Sequence, residues 1–487
     1  MQEESLKNKT AKGLFWSGLG SGIQQIIQLV FGVVMLNILL PENYGIVGML
    51  YIFTALALVM QDGGFVAALI NKRGIDPKDY NAVFWFSVFI SAVMYALLFF
   101  SAPLIASFYN KPELILVSRV LFLSFLIGGI GVAQHAYIMK EIMAKERTKI
   151  ELWALLISGI SGVLFAYMGY AYWAIVIQNV LHSTVTAVTR YFYCPWKPSF
   201  HVDFRPLKEM SFFSISLLFT SMFNRIVDNL FFVILGKYYH ESQVGFYLQG
   251  NKWSMLGGAF INNMMNGVIQ PVLSRMTEEK ARQRNAFRKL LRFGAFISFP
   301  LLFGLGFVAE EFFLIVGQGE KWVSAVPFLQ LFCIWYAVNY IWSLYTKLLI
   351  AHGKSNVYMV GTIIVGSLQL LVVTLMFPYG VFPMLIAYLS VFFAGLLYWH
   401  YFTNKLIGLS LWSVITDIAP YLLTTIFCIF ISWLITSGIE SVIVRFVTKI
   451  LITALLYITI MWFSNSVIVR ESFEYVKGVF IRKENTE

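Results

Sequence analysis

Long apolar runs alternate with short polar connections along the whole chain. Each run is close to the roughly 20 residues that a helix needs to cross a membrane. The connections carry the charged residues, Gly and Pro that end such helices. We therefore predict an all-α polytopic membrane protein with about fourteen transmembrane helices. The predicted spans are 14–39, 46–69, 82–108, 114–138, 152–169, 172–193, 211–236, 246–270, 287–309, 325–349, 357–377, 381–402, 417–437 and 447–468.

The composition agrees with this pattern. Hydrophobic residues make up 59% of the chain, charged residues 13%, and the mean hydropathy is +0.73, whereas soluble domains carry about 25% charged residues. The apolar run 14–40 is longer than the signal-peptide core of about 7–15 residues, so we predict an uncleaved first span. The three cysteines lack disulfide or metal-site spacing. We expect no metal, no cofactor and no nucleic-acid partner.

The distribution of Lys and Arg predicts the orientation. With the N-terminus inside, 27 of them fall on the inner side and five on the outer side, and cytoplasmic loops are the ones that carry such an excess. We predict two cytoplasmic termini and an even number of spans. The basic stretch 275–292 is predicted at the cytoplasmic surface, with the apolar face at Phe287 on the anionic leaflet. Steering of an anionic substrate is the alternative.

A weak internal repeat appears at an offset of 200 residues, with Gly45 aligned to Gly245. Both repeated stripes follow the i, i+3, i+4, i+7 pattern of one helix face. Because both halves begin inside, the repeat would be parallel, although two amphipathic spans can also look alike by chance. We predict six-helix bundles over 1–209 and 210–410, and two additional helices with a cytoplasmic tail over 411–487. The aligned polar positions are Ser21, Gln24, Gln25 and Gln28 in span one, and Ser221, Asn224, Arg225 and Asp228 in span seven.

Span seven carries two opposite charges near its centre, Arg225 and Asp228. A charge at the bilayer centre costs about 3 kcal/mol or more, so it marks a functional site by default. The guanidinium of Arg225 suits phosphate or carboxylate oxygens. The spacing of three residues also allows a pair with Asp228 that only fixes helix packing. If the repeat holds, the polar stripes of spans one and seven face each other across one cavity.

Three further charged positions have both a functional and a structural interpretation. Arg119 and Lys252 lie near the outer ends of their spans, where they either line a cavity as cations or reach the lipid headgroups. Asp62 precedes two glycines towards the inner end of span two. It either binds a coupling ion, caps a helix or lines a water-filled vestibule.

Amides and small residues within the spans predict helix contacts. Gln178 and Asn179 in span six either tie helices together or contact sugar hydroxyls. His182 beside them is interpreted as packing rather than as a proton relay. Gly18, Gly20 and Gly22 indicate close helix packing, and Gly18 and Gly22 have the GxxxG spacing of membrane helices in contact. No strand precedes them that would indicate a phosphate loop.

Five landmarks occur in order along the chain and together resemble a known family. That family is the polysaccharide flippases of the multidrug/oligosaccharidyl-lipid/polysaccharide exporter superfamily, within its Wzx and colanic-acid-exporter-like branch. The similarity extends over essentially the whole chain. The landmarks are LLPENYGIVG at 39–48, LGKYYHESQVGFYLQGNKW at 235–253, IQPVLSRM at 269–276, GQGEKWVSAVPFLQLF at 317–332 and LIAHGKSN at 349–356.

The resemblance implies a non-enzymatic flippase of the bacterial inner membrane, working by alternating access. Its substrate would be an undecaprenyl-diphosphate-linked oligosaccharide, the repeat unit of O-antigen, capsule or exopolysaccharide, with membrane lipids as further partners. Coupling to Na+ or H+ through Asp62 or Asp228, and association with polysaccharide assembly proteins, are left open. The implied diphosphate site is Arg225, Asn224 and Asp228 with Arg119 and Lys252, and the implied polar lining is Ser21, Gln24, Gln25, Gln28, Gln178, Asn179 and Ser221.

Two other functions are weighed against this one. The first is an ion-coupled exporter of drugs or small metabolites in the same superfamily. Drug-exporting relatives place an acidic ion-binding residue in span one. This chain has Gln24, Gln25 and Gln28 there, which argues against a drug exporter. A polytopic polysaccharide polymerase or ligase would need a sizeable outer loop with catalytic residues. The longest outer connection predicted here is 310–324, and no nucleophile–base arrangement can be assembled from the loops.

Overall fold

The computed structural model describes residues 6–72, 74–200, 203–274 and 276–464, and within these ranges it is helical with no strand. Short 3-10 turns lie at Glu320–Ala325 and Phe377–Tyr379. In chain order the helices are α1 (Leu6–Ile38), α2 (Pro41–Gly48), α3 (Tyr51–Asp62), α4 (Phe65–Asn71), α5 (Pro77–Tyr109), α6 (Leu114–Leu121), α7 (Leu123–Gly129), α8 (Val132–Lys140), α9 (Ala144–Tyr167), α10 (Tyr172–Tyr193), α11 (Arg205–Tyr238), α12 (Glu241–Ser274), α13 (Lys280–Phe307), α14 (Ala309–Val316), α15 (Val326–Ala351), α16 (Ser355–Met376), α17 (Val381–Ile407), α18 (Leu411–Thr436) and α19 (Val442–Phe463).

The described helices confirm an all-α, multi-span membrane protein. Eleven stretches are long and apolar enough to cross a membrane, or twelve if the pair Leu114–Gly129 and Val132–Lys140, bent by 48°, forms one broken span. The predicted spans six and eight correspond to α10 and α12, which are not among these stretches. Polar residues such as Asn179 and Lys252 lower their hydropathy.

Predicted span two is broken into α2, α3 and α4. Between α3 and α4, Gly63 and Gly64 have φ angles of 56° and 75°, a region that glycine enters without a steric penalty. The break leaves the first amides of α4 without helical partners, and Asp62 Oδ1 accepts a hydrogen bond from Val66 N at 3.2 Å. Asp62 therefore caps α4, which is one of its three predicted roles.

The chain divides into two compact units, Met1–Gly245 and Phe246–Glu487. In the first unit α1 packs on α9, α9 packs on α10, and α11 packs on α3, α4 and α5. The first unit thus includes α11, the first helix of the predicted bundle 210–410. The bundle boundaries themselves stay a prediction.

Of the three glycines predicted to pack closely, Gly20 makes the contact between α1 and α9. A Cβ at Gly20 would collide with the side chain of Thr148 on α9, whereas a Cβ at Gly18 or Gly22 would meet nothing within 4 Å. Two residues further along a helix turn the side chain by about 200°. The face that carries Gly18 and Gly22 is thus turned away from α9. The predicted close packing is confirmed at Gly20, and the GxxxG pair takes no part in this contact.

The starts of α2 and α12 touch through two glycines in a reciprocal way. A Cβ at Gly45 would collide with the carbonyl oxygen of Glu241, and a Cβ at Gly245 would collide with that of Pro41. Beside them, Lys111 Nζ donates to Glu241 Oε1 at 2.7 Å. Glycine is required at both points because each helix approaches the backbone of the other.

Ion pairs outside the spans hold both ends of the α2–α4 segment. Burial raises the pKa of the Glu241 carboxyl, but the hydrogen bond and charge of Lys111 lower it by more, so that this pKa lies below its ordinary value. At the other end, Lys72 Nζ lies 2.9 Å from Asp79 and 3.0 Å from Glu209. The hydrogen bond to Asp79 is the main cause that raises the pKa of Lys72.

Replacing Gly45 by Ala is expected to lower the melting temperature of the purified protein clearly. The new Cβ has to displace a backbone carbonyl, which cannot rotate away, and overpacking of this kind costs about 1–3 kcal/mol. Gly18→Ala is the matched control, since its Cβ meets nothing and alanine favours the helix. Equal melting temperatures for the two variants would contradict the close contact.

Two ion networks hold α18 and α19 within the second unit. Arg288 of α13 forms a bidentate pair with Asp417 of α18, with Nε–Oδ2 at 2.6 Å and Nη2–Oδ1 at 2.9 Å. Glu311 of α14 lies 2.8 Å from Arg445 Nε and 2.7 Å from Lys449 Nζ, both of α19. The Glu311 side chain is only 1% exposed. The second network is therefore the more deeply buried one.

Two sequence predictions for this unit are corrected by the structure. The predicted outer connection 310–324 contains α14 and the buried Glu311. In the predicted surface stretch 275–292, Phe287 is fully buried and stacks on Tyr345 with ring centroids 5.6 Å apart. Its apolar face therefore packs inside the protein and does not lie on the leaflet.

Candidate functional site

A cavity of about 820 Å³ lies in the first unit, lined by α3, the start of α4 and α11. Its volume is in the range of about 300–1,000 Å³ that is typical of ligand pockets. The polar stripe of span seven therefore faces this cavity. The polar side chains on the cavity are Ser221, Asn224, Arg225, Asp228 and Asn229 from α11, and Tyr51, Thr54 and Asp62 from α3.

Arg225 and Asp228 both line this cavity with exposed side chains. Neither forms an ion pair with a described residue, so the packing pair that the sequence left open does not form. The main-chain carbonyl of Arg225 accepts a hydrogen bond from Asn229 Nδ2 at 2.8 Å, and Asn229 lines the same cavity. A fixed cation at this depth is available to an anionic ligand.

Asp62 lines the same cavity from the opposite wall, at the break between α3 and α4. One of its carboxylate oxygens is engaged by Val66 N. The sequence predicted Asp62, Arg225 and Asp228 separately, and the structure brings all three together. The cavity thus holds one cation and two carboxylates.

A second cavity of about 380 Å³ adjoins the first. Tyr51, Thr54 and Leu58 of α3 line both cavities, and their spacing makes them one ridge along the helix. The second cavity is otherwise lined by residues of α6 to α10. Its polar side chains include Gln61, Ser124, Glu151, Asn179, His182 and Thr186.

One face of α10 supplies most of the polar groups in this second cavity. Asn179, Ser183, Thr186 and Arg190 follow one another at intervals of four, three and four residues, which is a continuous helical stripe. Sequence reasoning assigned Arg190 to a cytoplasmic loop and so missed it. The spacing from Asn179 was the signal that could have found it.

Gln61 fixes the shared ridge in position. Its side chain is buried, and Nε2 donates to Ser91 Oγ at 2.8 Å and to the Phe125 carbonyl at 2.6 Å. A Cβ at Gly128 would come within 3.3 Å of Gln61 Oε1, so the glycine leaves room for this side chain. Gln61 thereby ties α3 to α5 and α7.

The polar positions of span one lie away from both cavities. Ser21 and Gln28 are exposed, Gln24 and Gln25 are half-buried, and none of the four lines either cavity. In the described residues α1 packs on α9, while α3 packs on α11. That the stripes of spans one and seven face each other stays a prediction.

The remaining predicted site residues contact aromatic rings or neighbouring helices. Arg119 lies 4.4 Å above the ring of Phe99, and Lys252, in the second unit, lies 5.7 Å from the ring centroid of Trp253. Gln178 packs against α9, where a Cβ at Gly162 would be 3.1 Å from it. None of the three lines the two cavities, and their part in binding stays a prediction.

A multi-span helical protein with open charged cavities at membrane depth has the architecture of a membrane transporter. Comparison with known proteins defines it further. Residues 34–327 match the family described as polysaccharide biosynthesis protein, which covers more than half of the chain. The chain belongs to this family.

Relatives and solved structures agree with this assignment. The chain is 26% identical to the teichuronic acid biosynthesis protein TuaB of Bacillus subtilis (strain 168) over 354 residues, 72% of this chain and 73% of TuaB. It is 26% identical to the lipopolysaccharide biosynthesis protein WzxC of Escherichia coli (strain K12) over 336 residues, 68% and 67% of the two chains. Its fold is similar to that of the lipid II flippase MurJ in an inward closed conformation, with a TM-score of 0.76, 14% identity, and coverage of 93% and 99%. The predicted resemblance to polysaccharide exporters is confirmed.

Proposed function

We propose that this protein moves an undecaprenyl-diphosphate-linked oligosaccharide across the bacterial inner membrane by alternating access. The observation that carries the proposal is the guanidinium of Arg225, exposed on a cavity of about 820 Å³ with no ion pair to a described residue. An arginine in such a place binds phosphate oxygens through charge-assisted hydrogen bonds. The family and the names of the relatives support a polysaccharide substrate.

In this proposal each part of the substrate has its own environment. The diphosphate binds Arg225, and Ser221 and Asn224 on the same helix face offer further donors. The sugars occupy the hydrated, polar part of the protein, and the polyprenyl tail stays in lipid. No bond forms or breaks, so the proposal includes no enzyme activity.

The two carboxylates of the cavity suggest how transport is coupled to an energy source. Before substrate binds, Asp62 and Asp228 outnumber Arg225 on the cavity wall, and a diphosphate adds further negative charge. Like charges in a medium of low dielectric repel strongly, so cations must enter with the substrate or before it. We propose that Asp228 and Asp62 take up H+ or Na+ for this purpose, with Asp228 the more accessible of the two.

The reciprocal glycine contact supports the parallel pseudo-repeat. Gly45 touches Glu241, and Gly245 touches Pro41. Gly245 is offset by 200 residues from Gly45, and Glu241 by 200 residues from Pro41. The two contacts are therefore equivalent, as they would be if a two-fold axis related the two helix starts. With α10 and α12, 22 and 34 residues long, counted as spans, we propose fourteen helices with both termini cytoplasmic.

Reconstitution of the purified protein into liposomes tests the proposed function. The probe is a fluorescent undecaprenyl diphosphate that carries one N-acetylglucosamine, and a membrane-impermeant quencher reports which leaflet it occupies. Active protein is expected to make both leaflets accessible much faster than heat-inactivated protein does. Equal rates would contradict the proposal. Drug resistance on overexpression would favour the antiporter alternative.

A further inference from the structure

We infer that the second cavity binds the saccharide part of the same substrate, so that one ligand extends from Arg225 over the ridge of α3 into the space beside α10. This inference rests on the proposed function and assigns a site to the sugar nearest the diphosphate. The volume of about 380 Å³ lies at the lower end of the range for ligand pockets. It suits a small part of the glycan and not a whole repeat unit.

The side chains on α10 have the chemistry that sugar hydroxyls need. Asn179, Ser183 and Thr186 present neutral donors and acceptors from one helix face. Asn179 Nδ2 donates to the Ile175 carbonyl at 2.8 Å, which orients the amide and leaves its oxygen free for the cavity. Sugar hydroxyls both donate and accept hydrogen bonds, so they match such a mixed surface.

Thr186 offers this surface a buried hydroxyl that is available to a ligand. The residue is 9% exposed, and its Oγ1 forms no hydrogen bond within the part of the chain that the structure describes. Buried polar atoms without a partner are rare because they lose their hydration without compensation. A sugar hydroxyl beside Thr186 would complete its hydrogen bonding.

The charges of the two cavities suit different parts of the ligand. The second cavity is lined by both Arg190 and Glu151, whose opposite charges make it suitable for a neutral, hydroxyl-rich group. The first cavity presents the guanidinium of Arg225, which forms no close ion pair with the residues that the structure describes. Because Tyr51, Thr54 and Leu58 line both spaces, a substrate can contact both without leaving the protein.

Equilibrium binding of two radiolabelled probes to the full-length protein in detergent tests this inference. One probe is undecaprenyl diphosphate, and the other is the same lipid with one N-acetylglucosamine. The double variant Thr186→Val, Ser183→Ala removes two hydroxyls and conserves the shape of the cavity closely. We expect it to weaken binding of the sugar-bearing probe by about 5- to 10-fold and to leave binding of the sugar-free probe unchanged.

Thr189→Val is the matched control, since the Thr189 hydroxyl bonds the Val185 and Thr186 carbonyls and lines neither cavity. Melting temperatures report whether the variants fold. Equal weakening of both probes by the double variant, or no weakening, overturns the inference, as does equal affinity of the wild-type protein for the two probes. If the wild-type protein binds neither probe, the proposed function itself fails.

Discussion

Replacing Arg225 by Ala is expected to abolish surface glycan while the lipid-linked precursor is still made and accumulates. Hydrogen bonds to charged groups contribute about 1.5–3 kcal/mol, so loss of the guanidinium should slow transport of the liposome probe by about 10- to 100-fold. The side chain forms no close ion pair with a described residue, and Asp228 beside it in the cavity is itself exposed. We therefore expect a nearly unchanged melting temperature. The measurements are glycan staining of a complemented deletion strain and the liposome assay.

Two further variants make this result specific. Arg225→Lys keeps the charge but loses the planar fork that binds two oxygens at once, so intermediate transport is expected. Arg282→Ala is the matched control, because Arg282 is 65% exposed and only pairs with Glu279 at 3.2 Å. Normal export by Arg225→Ala, at normal protein levels, would show that the diphosphate site has been placed wrongly.

Replacing Glu311 by Gln is expected to destabilise the protein more than any other single change in its ion networks. Lys449 would be left with a buried charge and Arg445, 26% exposed, would also lose its carboxylate. Breaking a buried pair in this way costs about 3–5 kcal/mol. Lys449 is only 10% exposed, so it has little access to water. The measurement is the melting temperature of the purified protein in detergent.

Asp417→Asn provides the comparison. Its cations, Arg288 and Arg292, are 35% and 32% exposed and can turn towards water or headgroups when the carboxylate is lost, so a smaller decrease is expected. Adding Lys449→Met to Glu311→Gln should restore part of the lost stability, which a double-mutant cycle measures. A decrease for Glu311→Gln no larger than that for Asp417→Asn would contradict the importance of burial.

The sequence predicts the spans well because the length of an apolar run is a local property. It also predicts a polar stripe on span seven, and the structure places that stripe on a cavity. It does not identify the other wall of this cavity, since the period of one helix identifies a face and not the helix that covers it. That wall is α3, which brings Asp62 to the same cavity as Arg225.

Charges near the ends of spans are the other source of error. Counting Lys and Arg treats each as a loop residue, which hides Arg190 on its helical stripe and the pairing of Lys449 with Glu311. Whether such a charge faces headgroups, a cavity or a carboxylate depends on contacts between distant segments. The Gly63–Gly64 break was visible in the sequence as two adjacent glycines, but its effect on Asp62 required the three-dimensional structure.

The paired contacts of Gly45 and Gly245 restrict how the starts of α2 and α12 can move. At both contacts the backbone of one helix lies directly against the backbone of the other, with no side chain between them. Pulling them straight apart breaks both contacts and the Lys111–Glu241 ion pair at once. These three contacts therefore act together in holding the starts of α2 and α12 at this end of the first unit.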